Sequence, residues 1–413
     1  MTSRAYQQSA PARLVQTVAS VERARLGRRT GLAAAAVALG IAMLGTTLPT
    51  PLYGLYRQRF GFSELVITVI FATYAVGVIA SLALFGRLSD QVGRRRMLLP
   101  GLALSALSAA CFLTANGLPL LLAGRVLSGL SAGIFTGTAT ATLVDLSAGD
   151  DRGRATLAAT VANMGALGTG PLLAGVLSQW ASSPLRIPFW VDLGLLVPAV
   201  LGIWAMPEPV TTTAHPRLRP QALRVPSEMR STFIQSALAA SAGFAVLGLV
   251  TAVAPDFLAR ELGVTSRALE GLVVFSVFAA STAGQVILRF IPKRMAIIGG
   301  PGTLIAGMGF LALGLAASSL ALLVLGAVTA GLGQGLTFRA ALAAVNERSP
   351  AGERGAVASS FFIVMYVAIS LPVIGVGVLA QEIGLRPAGL TFAVLVAALS
   401  AAVLLVRRVG AGR

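Results

Sequence analysis

The stretch Gly86–Arg96 reads GRLSDQVGRRR and follows a long segment that has almost no charge. It holds four arginines, one aspartate and two glycines in eleven positions. Only 11% of all residues in the chain are charged, whereas soluble globular proteins carry roughly 25%. Because apolar runs of about 18 residues or more recur along the chain, the charged stretch is predicted to follow one of several membrane-spanning helices.

The apolar runs predict an all-α polytopic membrane protein with twelve transmembrane helices. Each run is long enough to cross a hydrocarbon core of about 30 Å at about 1.5 Å per residue. The predicted spans are residues 33–55, 66–86, 97–115, 119–144, 154–178, 187–206, 233–255, 269–290, 296–317, 320–345, 355–380 and 387–406.

The loop between the sixth and seventh spans divides the chain into two predicted bundles of six helices. This loop, residues 207–232, is the longest one between spans and is rich in Pro, Arg and Thr. The bundles occupy residues 33–206 and 233–406. A basic arm, residues 1–32, precedes the first bundle, and a short tail, residues 407–413, follows the second.

The basic residues predict how the spans are oriented. The chain has a net charge of +17 at pH 7. Most of its 32 Lys and Arg residues fall in the arm, in the tail and in the loops on the side of Gly86–Arg96, as the positive-inside rule expects of cytoplasmic segments. We therefore expect a multi-pass protein of the cell membrane, in a bacterium the inner membrane, with both termini cytoplasmic. The same distribution argues against nucleic-acid binding.

The two predicted bundles repeat residues at fixed offsets. Eight positions recur at an offset of 202, six as identities and two as Glu in place of Asp. Their first-half members are Gly129, Leu130, Gly133, Asp145, Ser147, Asp151, Arg152 and Gly153. A weaker copy of Gly86–Arg96 lies at an offset of 198, where Leu288 replaces Asp90. Because half of the matches involve charged segments, shared apolarity does not account for them, and paired six-helix units are typical of secondary transporters.

The pattern GxLxDxxGRR, which starts at Gly86, resembles the signature loop between the second and third helices of the major facilitator superfamily. The resemblance extends over residues 31–406. It implies two bundles that alternate access to a central small-molecule site, in a monomer without a cofactor or metal. It also implies that Gly86, Asp90, Gly93 and Arg94 form a latch that holds the two halves together in the outward-open state.

The residues themselves support a charged cluster at this loop. Asp90 and Arg94 are one helical turn apart and can pair. Asp145, at the end of the fourth span, is the expected third member of the latch. An aspartate opposes the positive-inside tendency and so indicates a specific partner, whereas Arg95 and Arg96 are expected to anchor the helix at the lipid headgroups.

Two ionisable residues inside predicted spans are candidates for coupling transport to protons. Arg125 lies in LAGRVLSGLSAG, which resembles the family's fourth-helix motif of an arginine followed four residues later by a glycine, here Gly129. Asp192 lies at a similar depth in the sixth span, so the two side chains can form an ion pair if they face each other. Asp192 is the expected proton-binding group. The alternative is that its side chain reaches water at the outer interface.

The fifth span carries GALGTGPLLAG, residues 165–175, which is similar to the glycine-proline motif of antiporter branches. Gly170, Pro171 and Gly175 match that motif, whereas Ala174 replaces one of its glycines. Ordinary helix packing accounts for the glycines equally well. The motif favours antiport.

The predicted cavity lining contains few polar side chains. This scarcity favours an amphipathic solute over a sugar, which needs many hydrogen bonds. The candidate lining residues are Tyr53, Tyr74, Phe135, Asn163, Gln334 and Phe338.

Other protein classes lack support in the sequence. An ATP-driven pump needs a phosphate-binding loop ending in Gly-Lys-Ser/Thr, which is absent. The single histidine, His215, lies in the central loop, and no cluster of His, Cys and carboxylates indicates catalysis. We therefore expect a transporter rather than an enzyme, with small-molecule solute, protons and the lipid bilayer as its partners. Proton-coupled efflux is the first interpretation; an uptake symporter or facilitator for a small polar metabolite is the alternative, and a receptor without transport activity also stays open.

Overall fold

The computed structural model describes residues 27–86, 88–147, 152–212, 223–350 and 353–411. Most of these residues are helical, and no strand occurs among them. Residues 1–26 of the arm, Asp151 and His215 lie outside the described residues.

Twelve helices within the described ranges are long and apolar enough to cross a membrane, so the predicted fold class is confirmed. We number them span 1 to span 12. Their bounds are Arg28–Phe60, Glu64–Phe85, Arg94–Leu113, Leu118–Leu146, Arg154–Trp180, Ile187–Ala205, Ser227–Ala252, Arg267–Ile287, Met295–Ala316, Leu320–Arg348, Arg354–Ile383 and Leu385–Val406.

Span 1 extends beyond both of its predicted ends. A short 3₁₀ turn, Thr50–Leu52, joins Arg28–Thr47 to Tyr53–Phe60 without interrupting the span. The sequence places prolines before and within this turn, where a missing N–H interrupts the regular ladder. After this turn the helix continues past the predicted end at residue 55. It stops at Gly61, whose φ is +70°.

Serines begin three of the spans. At the starts of spans 2, 8 and 10, a serine Oγ accepts a hydrogen bond from the backbone N–H three residues further on, at 3.3–3.4 Å. The three residues are Ser63, Ser266 and Ser319. Each satisfies a donor that lacks a partner in the helix.

The two halves pack alike, as the internal repeat predicts. Span 4 contacts spans 1, 2 and 3, and span 10 contacts spans 7, 8 and 9. Spans 6 and 12 each pack against the first and third spans of their own half. The bundles meet along two symmetry-related seams, in which span 5 contacts span 8 and span 11 contacts span 2.

The repeated glycines mark the closest helix contact in each half. A Cβ atom on Gly129 would lie 2.1 Å from the carbonyl oxygen of Tyr74 in span 2. A Cβ atom on Gly331 would lie 2.3 Å from the carbonyl oxygen of Val277 in span 8. Because no side chain fits at either position, the offset of 202 corresponds to the same helix contact made twice.

The two ends of the helix bundles are called the motif end and the opposite end. The motif end is the one at which Gly86–Arg96 lies, together with the start of span 1 and the ends of spans 4 and 10. The opposite end carries the turns between spans 1 and 2 and between spans 7 and 8.

Candidate functional site

A small cavity lies between the two bundles, midway along the spans. Its volume is about 60 Å³, which is room for a few water molecules. The first bundle contributes most of its polar groups, and the second bundle contributes mainly aromatic and aliphatic side chains. The polar contributors are Thr46, Thr47, Arg125, Thr136, Asn163 and Thr251, with the hydroxyls of Tyr74 and Tyr366. The lining is therefore amphipathic, with its polar side on the first bundle.

Arg125 is the only Lys or Arg that lines this cavity among the described residues, and it is 2% exposed. Its guanidinium donates to the carbonyl oxygen of Thr46 at 2.6 Å, of Phe71 at 3.2 Å and of Ile70 at 3.3 Å. Thr46 lies in the last turn of Arg28–Thr47, where carbonyl groups lack helical partners and the helix dipole is negative. The guanidinium carbon also lies 4.7 Å from the centre of the Tyr74 ring. Backbone groups and a ring thus stabilise this charge.

Asp192 is likewise 2% exposed, against the backbone of span 1. A Cβ atom on Gly45 would lie 3.0 Å from Oδ2 of Asp192, so a larger residue there would push the carboxylate away by a few tenths of an ångström. Oδ1 of Asp192 has no hydrogen-bond partner. No ion pair joins Asp192 to Arg125, both of which the structure describes. A buried carboxylate with an unpaired oxygen is costly when charged, so this group is suited to binding a proton.

Span 5 widens into one π-helical turn at Val161–Gly165, beside the cavity. Asn163 and Met164 of this turn line the cavity, together with Leu167. Single π-helical turns inside α-helices occur often at functional sites because they change which side chains face inward. The sequence predicted Asn163 as a lining residue but contained no signal for the turn.

Only two of the six candidate lining residues, Tyr74 and Asn163, line this cavity. Phe135 is fully buried inside the first bundle, against Gly101. Gln334 accepts a hydrogen bond from Ser281, and Phe338 packs on Phe244.

Tyr53, the remaining candidate, is 3% exposed near the opposite end of span 1. The structure thus places Tyr53, Phe135, Gln334 and Phe338 outside the lining. Their helices are apolar on most faces, so the sequence did not indicate which side chains turn inward.

At the motif end, Arg94 joins the predicted cluster. Its guanidinium lies 2.6 Å from Oδ1 of Asp90, 2.9 Å from Oδ2 of Asp145 and 2.7 Å from Oγ of Ser89. Gly86 ends span 2 and is exposed. All partners of Arg94 in the described ranges belong to the first half of the chain or to the segment that directly follows it. The latch between the two halves stays a prediction.

Glu208 is a member of this cluster that sequence reasoning missed. Its carboxylate accepts hydrogen bonds from the backbone N–H of Arg94 at 2.7 Å and of Arg95 at 3.1 Å, at the start of span 3. Gly93 precedes them with φ of +109°, and a Cβ atom there would lie 2.7 Å from Oε2 of Glu208. The glycine of the signature is therefore needed both for its backbone conformation and for the approach of this carboxylate. An acid just after span 6, in a segment otherwise rich in basic residues, was the available signal.

At the opposite end, ion pairs join the two bundles. Arg57 of span 1 lies 2.9 Å from Oδ2 of Asp256, in the short helix Ala254–Glu261 that follows span 7. Arg260 of that helix pairs with Glu64 of span 2 and lies 3.4 Å from Asp256. Burial raises the pKa of Asp256, and the neighbouring Arg57 partly offsets the rise. These ion pairs link the two bundles across this end.

The glycine-proline segment of span 5 lies in the seam with span 8. A Cβ atom on Gly175 would lie 2.4 Å from the carbonyl oxygen of Arg267, and one on Gly170 would lie 2.4 Å from that of Leu44 in span 1. From the other side, a Cβ atom on Gly271 would lie 2.4 Å from the carbonyl oxygen of Pro171. The motif therefore packs span 5 tightly against both bundles near the opposite end.

Twelve spans in two similar bundles, with an amphipathic cavity between them, define a membrane transporter of the two-bundle type. The family model of the Major Facilitator Superfamily matches residues 31–373. The chain belongs to this superfamily, as the signature at Gly86 predicted. Its members bind small-molecule substrates and are usually monomers.

The curated relatives match over part of their length. A triacylglyceride transporter of Mycobacteroides abscessus is 33% identical over 137 residues, which is 33% of this chain and 26% of that protein. A bacillibactin exporter of Bacillus subtilis is 26% identical over 147 residues, 34% of this chain and 37% of that protein. The match thus spans roughly a quarter to two fifths of these relatives.

Solved structures share the fold over nearly the whole chain. A bacterial homologue of the human lysosomal transporter spinster has a TM-score of 0.70 at 16% identity, covering 92% of this chain and 97% of that one. A peptide transporter in complex with alafosfalin has a TM-score of 0.74 at 15% identity, covering 92% and 93%. At such identities the likeness concerns the fold alone.

Proposed function

We propose that the protein is a secondary active transporter that exports a small amphipathic solute in exchange for protons. The observation that carries the proposal is the cavity between the bundles, with buried Arg125 beside span 1 and the unpaired carboxylate oxygen of Asp192 against the same helix. A polar side on one bundle and an apolar side on the other suit a solute that has both kinds of surface.

Alternating access follows from the contacts between the bundles. The ion pairs around Arg57 and the seam at Gly175 join the two bundles toward the opposite end. For a solute to leave there, these cross-bundle contacts separate while the motif end closes. They are a small network of partly exposed ion pairs and backbone contacts at glycines, so each contact contributes a modest free energy and can exchange.

Proton coupling acts through span 1. Asp192 contacts Gly45, and Arg125 is hydrogen-bonded to the adjacent carbonyl of Thr46. When Asp192 ionises, its new negative charge attracts the Arg125 guanidinium. Both side chains then act on the same turn of span 1. When it is protonated, Arg125 is left to interact with solute in the cavity.

Export is the direction that the named relatives and the glycine-proline segment favour. One relative is named an exporter, and Gly170, Pro171 and Gly175 match the pattern of antiporter branches. The distribution of Lys and Arg favours a location in the cell membrane with the motif end and both termini cytoplasmic.

The test is flux into proteoliposomes that contain the purified protein and the pH indicator pyranine. A panel of amphipathic dyes is added outside vesicles with an acidic lumen. Antiport predicts dye uptake that requires the gradient and speeds the rise of luminal pH, and Asp192→Asn loses the coupling. Dye uptake that acidifies the lumen would indicate a symporter, and uptake without any pH change would indicate a facilitator. Either result contradicts the proposal.

A further inference from the structure

Arg339 is a second arginine inside the membrane-spanning region, on span 10. It lies nine residues before the end of that span at Arg348, which places its Cα about 13 Å from the motif end of the helix. Its side chain is partly buried. An arginine at this depth is costly unless it has a function or a partner.

The partners of Arg339 do not neutralise its charge. In the part of the chain that the structure describes, its one side-chain hydrogen bond runs from Nη1 to Oγ1 of Thr160 in span 5, at 3.2 Å. No ion pair is formed by Arg339 with the described acids. Arg289 acts on it with a charge of the same sign. A guanidinium has five N–H donors, so most of them are available to a ligand.

The internal repeat has no side chain at the position equivalent to Arg339. The residue equivalent to Arg339 at the offset of 202 is Gly137 of span 4. Gly137 is exposed, and a Cβ atom there would meet nothing within 4 Å. The equivalent position of the first bundle therefore borders open space, and only the second bundle has a charged residue there.

Arg339 also lies on the path that the solute would take. Its partner Thr160 directly precedes the π-helical turn, and Asn163, three residues further along span 5, lines the central cavity. Arg339 thus lies about one helical turn from the cavity, toward the motif end. A solute that enters from the motif end passes the guanidinium before it reaches Arg125.

We infer that Arg339 binds an anionic group of the solute, so that the transported compound is an amphipathic anion carrying a carboxylate or a comparable acid. The inference rests on the proposed function, because it takes the space between the bundles as the transport path. Arg339 holds the acid by paired, charge-assisted hydrogen bonds. The apolar part of the solute then extends toward the aromatic side of the cavity.

The test measures equilibrium binding to the protein in lipid nanodiscs, with empty nanodiscs subtracted. The probes are three pairs of a carboxylate and its uncharged amide: 2-naphthoate and 2-naphthamide, decanoate and decanamide, and 4-phenylbutyrate and 4-phenylbutyramide. We expect at least one carboxylate to bind about tenfold or more tightly than its amide, since a charge-assisted pair contributes on that order. Arg339→Gln should reduce this preference to about twofold or less, and Arg339→Lys should retain part of it.

Two matched variants separate ligand binding from a structural role. Thr160→Val removes the hydrogen bond across the bundles but keeps the charge, so the preference for the carboxylate should persist. Arg348→Gln removes a charge from the exposed end of the same helix and should also leave it unchanged. The inference is overturned if no pair shows a preference, if the preference survives Arg339→Gln, or if Thr160→Val abolishes it equally. Equilibrium binding without a proton gradient does not depend on proton coupling or on the direction of transport. The flux assay can therefore contradict the proposed function without affecting this binding result.

Discussion

Asp192 and Arg125 contact adjacent residues of span 1 without contacting each other. The Asp192 carboxylate lies against Gly45, and the Arg125 guanidinium donates to the carbonyl oxygen of Thr46 at 2.6 Å. Similar depth in the sequence allowed an ion pair, but the structure places the backbone of span 1 as the link between the two side chains. We propose that a change of charge on one is transmitted to the other through this turn of helix.

This relationship predicts the effect of a methyl group at Gly45. In Gly45→Ala the new Cβ lies 3.0–3.1 Å from the Asp192 oxygens, which displaces the carboxylate. We expect slower proton-driven flux with the protein still folded, measured in proteoliposomes and by thermal unfolding. Gly54→Ala is the matched control in the same span, because nothing lies within 4 Å of its Cβ. Equal flux in the two variants would show that Asp192 does not act through this contact.

The two aspartates around Arg94 are predicted to differ in importance. The side chain of Asp90 is 61% exposed and that of Asp145 is 31% exposed. Because water screens the first pair more strongly, Asp145→Asn should lower the free energy of unfolding by about 1 kcal/mol and Asp90→Asn by less than about 0.5 kcal/mol. Thermal unfolding in detergent measures both. A larger loss from Asp90→Asn would contradict the assignment of Asp145 as the main partner.

The start of span 3 predicts a strong effect at Gly93. Gly93→Ala combines a positive φ with a Cβ 2.7 Å from the Glu208 carboxylate, so we expect a loss of about 1–3 kcal/mol in the free energy of unfolding. Glu208→Gln should cost less, because the amide oxygen still accepts one of the two hydrogen bonds. Gly299→Ala, in open space on span 9, is the control and should be neutral or stabilising. A neutral Gly93→Ala would refute the proposed fit between glycine and carboxylate.

The sequence predicted the spans well because each is a long apolar run bounded by Ser, Gly, Pro or charge. It also predicted the contacts of Arg94 with Asp90 and Asp145, since Asp90 is one helical turn away and Asp145 ends span 4 on the same side. Glu208 is distant in sequence from Arg94, and only the fold brings the two together.

The cavity lining was less predictable for a physical reason. Spans such as 4 and 10 are apolar on most faces, so hydrophobic periodicity does not distinguish the face toward the cavity from the face toward a neighbouring helix. Phe135 and Phe338 consequently lie in helix interfaces. Thr46, which was not a candidate residue, lines the cavity.

The seam between spans 5 and 8 predicts how the conformations exchange. In Gly175→Ala the Cβ would lie 2.4 Å from the Arg267 carbonyl oxygen, which separates the bundles near the opposite end. We expect this variant to populate a state open at that end, detected as faster alkylation of a cysteine at Ala259 in a Cys111→Ser background. Gly165→Ala, in the same span with its nearest atom at 4.0 Å, should leave the rate unchanged. No acceleration in Gly175→Ala would contradict a role for this seam in closure.

The central claim is that the two ends open in alternation, and distances between spin labels test it most directly. One pair, at Gln58 and Ala259, reports the opposite end; a second, at Arg96 and Arg354, reports the motif end. Double electron–electron resonance on the protein in nanodiscs should show the first distance lengthening as the second shortens when pH or transported dye is varied. Two distances that stay fixed, or that lengthen together, would contradict the account.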